Sequence, residues 1–158
     1  MKNIIFARVD DRLIHGQVVT EIVPTHNINH IIIVDDITAS DNMQGRILKA
    51  LAPSGVQVSV HSIESATENL KRDFNPKERV LVLAKTPITF KQLHKNGILF
   101  EAINIGGMGT RDDRSILIKN VGANEEERKS IKELLDNDVD VYYQLVPEQK
   151  KYELSGII

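Results

Sequence analysis

The sequence predicts a single α/β domain spanning residues 1–158: one open, twisted, mostly parallel sheet of about seven strands, doubly wound with helices on both faces. Three observations predict it. Short β-branched runs alternate with longer amphipathic ones, and the boundaries fall at Gly, Pro, Asn and Asp. Runs such as IIIV and VLVLA are apolar throughout, as strands covered on both faces must be. The chain has 158 residues, 41% of them hydrophobic, enough for one buried core, and no repeat, low-complexity tract or linker divides it.

In chain order, Ile4–Val9 (IIFARV) is the first strand and gives way to charge at Asp10. Gly16–Val23 is the first helix. His30–Val34 (HIIIV) is an unbroken β-branched strand closed by Asp35 and Asp36. Asn42–Ala52 is amphipathic and stops before Pro53, and Val56–His61 (VQVSVH) is the third strand. Ile63–Asp73 is a helix ended by the Asn75–Pro76 turn, followed by the strand Arg79–Ala84 (RVLVLA). Ile88–Asn96 begins behind Pro87 and ends at Gly97. Ala102–Ile105 (AINI) runs into a glycine-rich loop, and Ile116–Ile118 (ILI) is a further short strand. Asn124–Leu135 carries the clearest helix signals: Asn124 as N-cap, Glu125 to Glu127 in the first turn, and the stripe Ile131, Leu134, Leu135. Val141–Leu145 (VYYQL) is the last expected strand.

Composition narrows the function. Lys plus Arg (20) nearly balance Asp plus Glu (22), so a net charge of −2 provides no global attraction to nucleic acid or an anionic membrane. The absence of cysteine excludes disulfides, thiolate metal sites and a cysteine nucleophile, and fits a reducing compartment. The N-terminal apolar run is too short for a signal peptide, and no later run approaches the roughly 18 residues of a membrane helix. The expected location is therefore the cytoplasm.

An open sheet of this kind binds ligands beyond the carboxyl ends of its strands. There stand RVDDRLIHGQ, VDDITASDN and NIGGMGTRDDR, the loops after strands one, two and five, which concentrate the charge, histidine and glycine. In the first, His15 lies just ahead of a helix N-terminus, where Gly16 and Gln17 offer unpaired amides and the macrodipole favours an anion. A neutral imidazole beside a bound phosphoryl group can attack phosphorus. Arg12 can offer its guanidinium fork to the phosphoryl oxygens, and Arg8 at the strand end can add positive potential. Asp10 can hold Arg12 or fix the ring, because the bond made by one imidazole nitrogen determines the role of the other. Phosphoryl transfer depends mainly on positioning and charge stabilisation, so no metal or cofactor is expected.

Plainer roles compete. A histidine before a helix can be a simple cap, and loop Arg–Asp pairs are commonly solvated. The stretch Asn104–Arg111 can line the phosphoryl pocket through Gly107, or can be a turn needing positive φ at Gly106, Gly107 or Gly109. Met108 is either an exposed partner contact or loop packing. Asp35 is a pocket candidate, although a Rossmann ribose contact lacks its glycine fingerprint and a receiver-type acceptor would follow a different strand. Asp35 and Asp36 are better taken as bracing the first loop or starting the next turn. His26, His30, His61 and His94 lack metal-ligand spacing, and NEEERKSIKELLDND is expected to be a solvated helix face.

ARVDDRLIHGQV strongly resembles the phosphorylation-site segment of the IIB subunits of mannose/fructose/sorbose-class bacterial sugar phosphotransferase systems. The resemblance continues through IIIVDD (31–36), AP (52–53) before GVQVSV, INIGGMG (103–109) and LVP (145–147). It implies a mostly parallel open sheet with helices on both faces. It also implies that His15, through Nδ1, takes a phosphoryl group from a phosphohistidine of the IIA protein and passes it to a sugar brought by the IIC and IID membrane subunits, with Asp10 and Arg12 in support. The implied location is the inner face of the membrane, and a homodimer is compatible with the resemblance. Other IIB classes use a phosphocysteine, which this chain cannot. An alternative of another class is a regulatory module that senses a phosphoanion through the same loop without turnover; a third is a nucleotide-binding protein.

Overall fold

The computed structural model describes residues 3–158. Its strands are β1 (Ile4–Asp10), β2 (His30–Val34), β3 (Gln57–His61), β4 (Val80–Ala84), β5 (Ala102–Gly107), β6 (Ser115–Ile118), β7 (Val121–Ala123), β8 (Asp140–Tyr143) and β9 (Tyr152–Glu153). Between them lie α1 (Val23–His26), α2 (Asp36–Ala39), α3 (Asn42–Ala50), α4 (Ile63–Leu70), α5 (Pro87–Lys95) and α6 (Glu125–Asp136). The main sheet has seven strands in the order β3-β2-β4-β1-β5-β8-β9. All its pairings are parallel except β8 with β9.

Period-two alternation divides each strand between two cores. Ile32, Val34, Val80 and Val82 face α4, α5 and α6 through Ala66, Leu70, Phe90, Leu93, Ile131 and Leu134. Ile31, Ile33, Leu81 and Leu83 face the other way, onto Val18, Ile22, Val23 and Leu48. The chain leaving β1 thus crosses one face and the chain leaving β5 reaches α6 on the other. These strands are neighbours, so their carboxyl ends open a crevice at a topological switch point.

The structure corrects several expected boundaries. The Ile116–Ile118 strand is not in the main sheet; it pairs antiparallel with β7 in a separate hairpin. The seventh sheet strand is instead β9, two residues long and too short to show a period. The last expected strand stops at Tyr143, because the carbonyls of Gln144 and Leu145 turn to side-chain donors. The first helix runs over residues 16–26, past Val23, with Val18–Ile22 wound as a π-helix and Asn27 closing it at φ 52°. The one-turn α2 was not foreseen. Helices α3 and α4 end two and three residues early, at Ala50 and Leu70.

Candidate functional site

The site is built from the last turn of β1 upward. Arg8 and Asp10, two residues apart, share one side of the strand and are both fully buried. Arg8 Nη2 lies 3.2 Å from Asp10 Oδ2 and donates to the Leu145 carbonyl at 2.9 Å; its Nη1 donates to Asn104 Oδ1 at 2.8 Å and to the Gln144 carbonyl at 3.4 Å. This corrects the expectation that Arg8 adds potential at the loop surface: its charge is turned inward and holds Asp10 from behind. Burial lowers the Arg8 pKa, opposed by Asp10.

The glycines of β5 make room for this pair. A methyl group on Gly106 would lie 2.2 Å from Arg8 Cζ, and one on Gly107 would lie 2.9 Å from Asp10 Oδ1. Neither glycine, nor Gly109, has positive φ, so the turn explanation for NIGGMG fails and close approach replaces it. Met108 is 1% exposed and packs in the core, which excludes it as a surface contact.

Beyond β1 the loop turns on Leu13, whose φ of 58° is a left-handed conformation rarely held by a bulky residue. Leu13 and Ile14 drop into the core beside Val18 and Ile22, and their anchorage maintains the strain. Between these apolar anchors and the helix stands His15, 13% exposed at its side chain. Its Nε2 lies 2.9 Å from Asp10 Oδ2 and its Nδ1 lies 3.3 Å from the backbone N of Gln17. A backbone N–H can only donate, so Nδ1 is the acceptor and the ring proton resides on Nε2, donated to Asp10. The His15 carbonyl accepts from Val19 N, which makes His15 the residue that caps the helix.

Burial works to raise the Asp10 pKa. The His15 hydrogen bond, the Arg12 amide at 3.1 Å and the Arg8 charge outweigh it and hold the carboxyl below its ordinary range. Arg12 is 57% exposed and tethered loosely, Nε 3.4 Å from Asp10 Oδ1 and Nη2 3.3 Å from Gln17 Oε1. It is therefore free to swing toward an anion beside His15. Gly16 is exposed with open space around its Cα, and a hollow of about 280 Å³ adjoins the loop, lined in part by Asp11, Arg12, Gly107 and Tyr143. A larger hollow of about 510 Å³ lies at the opposite end of β1, against Phe6, Leu99 and Tyr142, far from these groups.

Asp11, next to Asp10, joins a brace. Both its oxygens accept from Arg114 Nη1, at 3.0 and 2.9 Å, and Oδ2 also accepts from Gly109 N. Arg114 in turn grips Glu127 at 2.9 and 2.7 Å, and Glu127 closes a capping box with Asn124 and accepts from Thr86. Glu127 is 1% exposed, which corrects the expectation of a wholly solvated face on α6. Sequence reasoning placed Asn104 in a candidate pocket stretch without seeing its bond to Arg8 and missed Arg114 and Glu127, of which only Glu127 was signalled, by the Asn124-x-x-Glu127 spacing.

Asp35 does not join the pocket. Its strand β2 is separated from β1 by β4, and its carboxylate caps α2 through Thr38 N and Oγ1 with Lys85 at 3.8 Å. Asp36 accepts from Ile63 N, so the pair starts the next turn and does not brace the first loop. His30 bonds Glu78 and Ser59, His61 bonds Ser65, and His26 stacks on Phe6. Among the described residues no three metal-ligating side chains converge, and no helix is long and apolar enough to cross a membrane.

A family model described as the PTS system sorbose subfamily IIB component matches residues 4–158. The chain belongs to this family. It is 28% identical over 158 residues to the fructose-specific EIIB component of Bacillus subtilis, covering all of this chain and 97% of that one. To the sorbose-specific EIIB component of Klebsiella pneumoniae it is 34% identical over 131 residues, 83% of this chain and 80% of that protein. The crystal structure of the IIBSor domain of the Klebsiella pneumoniae sorbose permease superimposes with a TM-score of 0.90 at 30% identity, over 96% of this chain and 93% of that one. The α/β fold is thus common to both, and this IIB component is a phosphotransferase, a phosphocarrier component of mannose-class PTS sugar uptake.

Proposed function

We propose that His15 is the phosphoryl carrier, accepting the group at Nδ1 from a phosphohistidine of the IIA protein and giving it to a sugar hydroxyl presented by the IIC and IID membrane subunits. The observation that carries this reading is the 2.9 Å contact of Asp10 with Nε2, which leaves the Nδ1 lone pair facing the helix start. In the donor step that lone pair forms the new N–P bond as the donor's N–P bond breaks, and the donor ring keeps its electron pair. His15, still protonated at Nε2, becomes a phosphoimidazolium whose charge the buried Asp10 carboxylate balances. The Gln17 amide, released from Nδ1, and the Gly16 amide turn to the phosphoryl oxygens, joined by Arg12. In the sugar step the hydroxyl oxygen attacks phosphorus, the ring recovers its pair, and the hydroxyl proton goes to a base on the membrane subunits. Such work places the protein in the cytoplasm, at the membrane's inner face.

Incubation with phosphoenolpyruvate, the general phosphotransferase proteins and IIA tests the assignment. An acid-labile, base-stable label that is lost in His15→Ala is expected; no label in the presence of active IIA would overturn it.

A further inference from the structure

Four of the seven large apolar side chains exposed among the described residues lie within one short segment: Ile37 on α2, and Met43, Ile47 and Leu51 on and just beyond α3. Ile37 is 78% and Met43 68% exposed. Met43, Ile47 and Leu51 recur every four residues, so they form one stripe along the helix, whose inward side is held by Leu48. Leu48 packs in the same cluster as Leu13 and Ile14, which places α3 on the face of the sheet that carries the His15 loop. Helix α2 and the first turn of α3 follow the carboxyl end of β2, and His15 follows the carboxyl end of parallel β1, so Ile37, Met43 and His15 stand at one end of the molecule.

The charges around the stripe are not balanced within the chain. Asp36 and Asp41 are engaged by the backbone amides of Ile63, Met43 and Gln44. Arg46 and Lys49 are exposed and have no ion-pair partner among the described residues. Exposed apolar side chains grouped beside unpaired charges mark an interaction site, and four of them are far fewer than the roughly 20–30 residues a side that a stable complex engages. Such a site fits a partner that binds and leaves.

Taking His15 as the carrier, as proposed above, we propose that Ile37, Met43 and Ile47, flanked by Arg46 and Lys49, form the docking surface for the phosphoryl-donor protein. That donor presents an apolar spot edged with carboxylates. Continuity with the His15 end of the sheet and the unpaired cations favour it over a second copy of this chain, which carries the same cations and would set like charges face to face.

Two variants test this by separate routes: Met43→Ser with Ile47→Ser, and Arg46→Glu with Lys49→Glu, each checked for folding by circular dichroism and thermal melting. Phosphoryl transfer is measured from phosphorylated IIA over a range of concentrations, and from phosphoramidate as a small donor that needs no docking. In both variants the KM for phosphorylated IIA should rise about tenfold or more. The rate at saturating IIA and labelling by phosphoramidate should be unchanged. An unchanged KM in both folded variants overturns the docking surface, as does a wild-type dimer that the serine variant dissociates without altering KM. A wild-type protein labelled at His15 by neither donor overturns the carrier reading, a distinct result.

Discussion

Asp10 Oδ2 stands 2.9 Å from His15 Nε2, while Oδ1 of the same buried carboxylate takes the Arg12 amide and side chain. One anion therefore fixes the tautomer of the ring and the path of the loop. Replacing it by an amide disconnects the two. In Asp10→Asn the amide N–H can donate to Nε2 and move the ring proton to Nδ1. Phosphoryl acceptance should then fall by as much as about 10⁴, the loss seen when a catalytic histidine is held in the wrong tautomer. Nitrogen NMR of the His15 ring should show the protonated nitrogen change from Nε2 to Nδ1; an unchanged tautomer with lost transfer would contradict the role given to Asp10.

Gly106→Ala tests the fit between β5 and Arg8. The added methyl meets the guanidinium carbon at 2.2 Å, and the guanidinium is held there by Asp10, Asn104 and the Gln144 and Leu145 carbonyls. Displacing Arg8 leaves Asp10 buried without its partner, so about 3 kcal/mol of stability should be lost. Urea unfolding should show the midpoint fall. A variant as stable as the parent would mean that Arg8 can relocate.

Arg114→Ala strips the brace between Asp11 and α6. Glu127 would remain buried with its charge unmatched, at a cost of about 3–5 kcal/mol. Urea unfolding checks the size of the loss. Hydrogen exchange should additionally show the Gly109 amide, which Asp11 accepts, losing protection.

The pH dependence of stability has two opposed limbs. Arg72, bonding both oxygens of Glu78, outweighs the opposing effect of burial and with His30 lowers the Glu78 pKa from 4.5 to about 2. A carboxyl depressed by folding stabilises above its unfolded pKa, and that contribution is lost as pH falls from 4.5 toward 2. The shared hydrogen bond with Asp140, then burial, raises Glu153 from 4.5 to about 7. A raised carboxyl stabilises below 4.5, and the contribution is lost as pH rises through 7. Glu78→Gln should flatten the acid limb and Glu153→Gln the limb between 4.5 and 7, read from thermal melts across pH.

The parts legible in the sequence are those written in local pattern. The apolar runs of β2 and β4 and the capped start of α6 needed only neighbours a few residues apart. RVDDRLIHGQV placed Asp10, Arg12 and His15 in one loop for the same reason, since their contacts span at most five residues. What escaped was non-local. Whether Arg8 faces outward or inward depends on Asn104 and the Gln144 and Leu145 carbonyls, and whether Glu127 is solvated depends on Arg114 and Thr86. The edge strand β9 carries too few residues for any periodicity, and Leu13 gives no compositional sign of its left-handed backbone.

Arg8 has a further consequence for how the protein matures. Its acceptors other than Asp10 lie 96 to 137 positions along the chain, so the clamp on Asp10 can close only after β5 has docked and the segment following β8 has come into place. Contacts of that separation form late in folding, after the costly closure of long loops. A chain emerging from the ribosome therefore displays its histidine long before the carboxylate behind it is secured. The support behind the His15 ring is complete only once the final third of the polypeptide is in place.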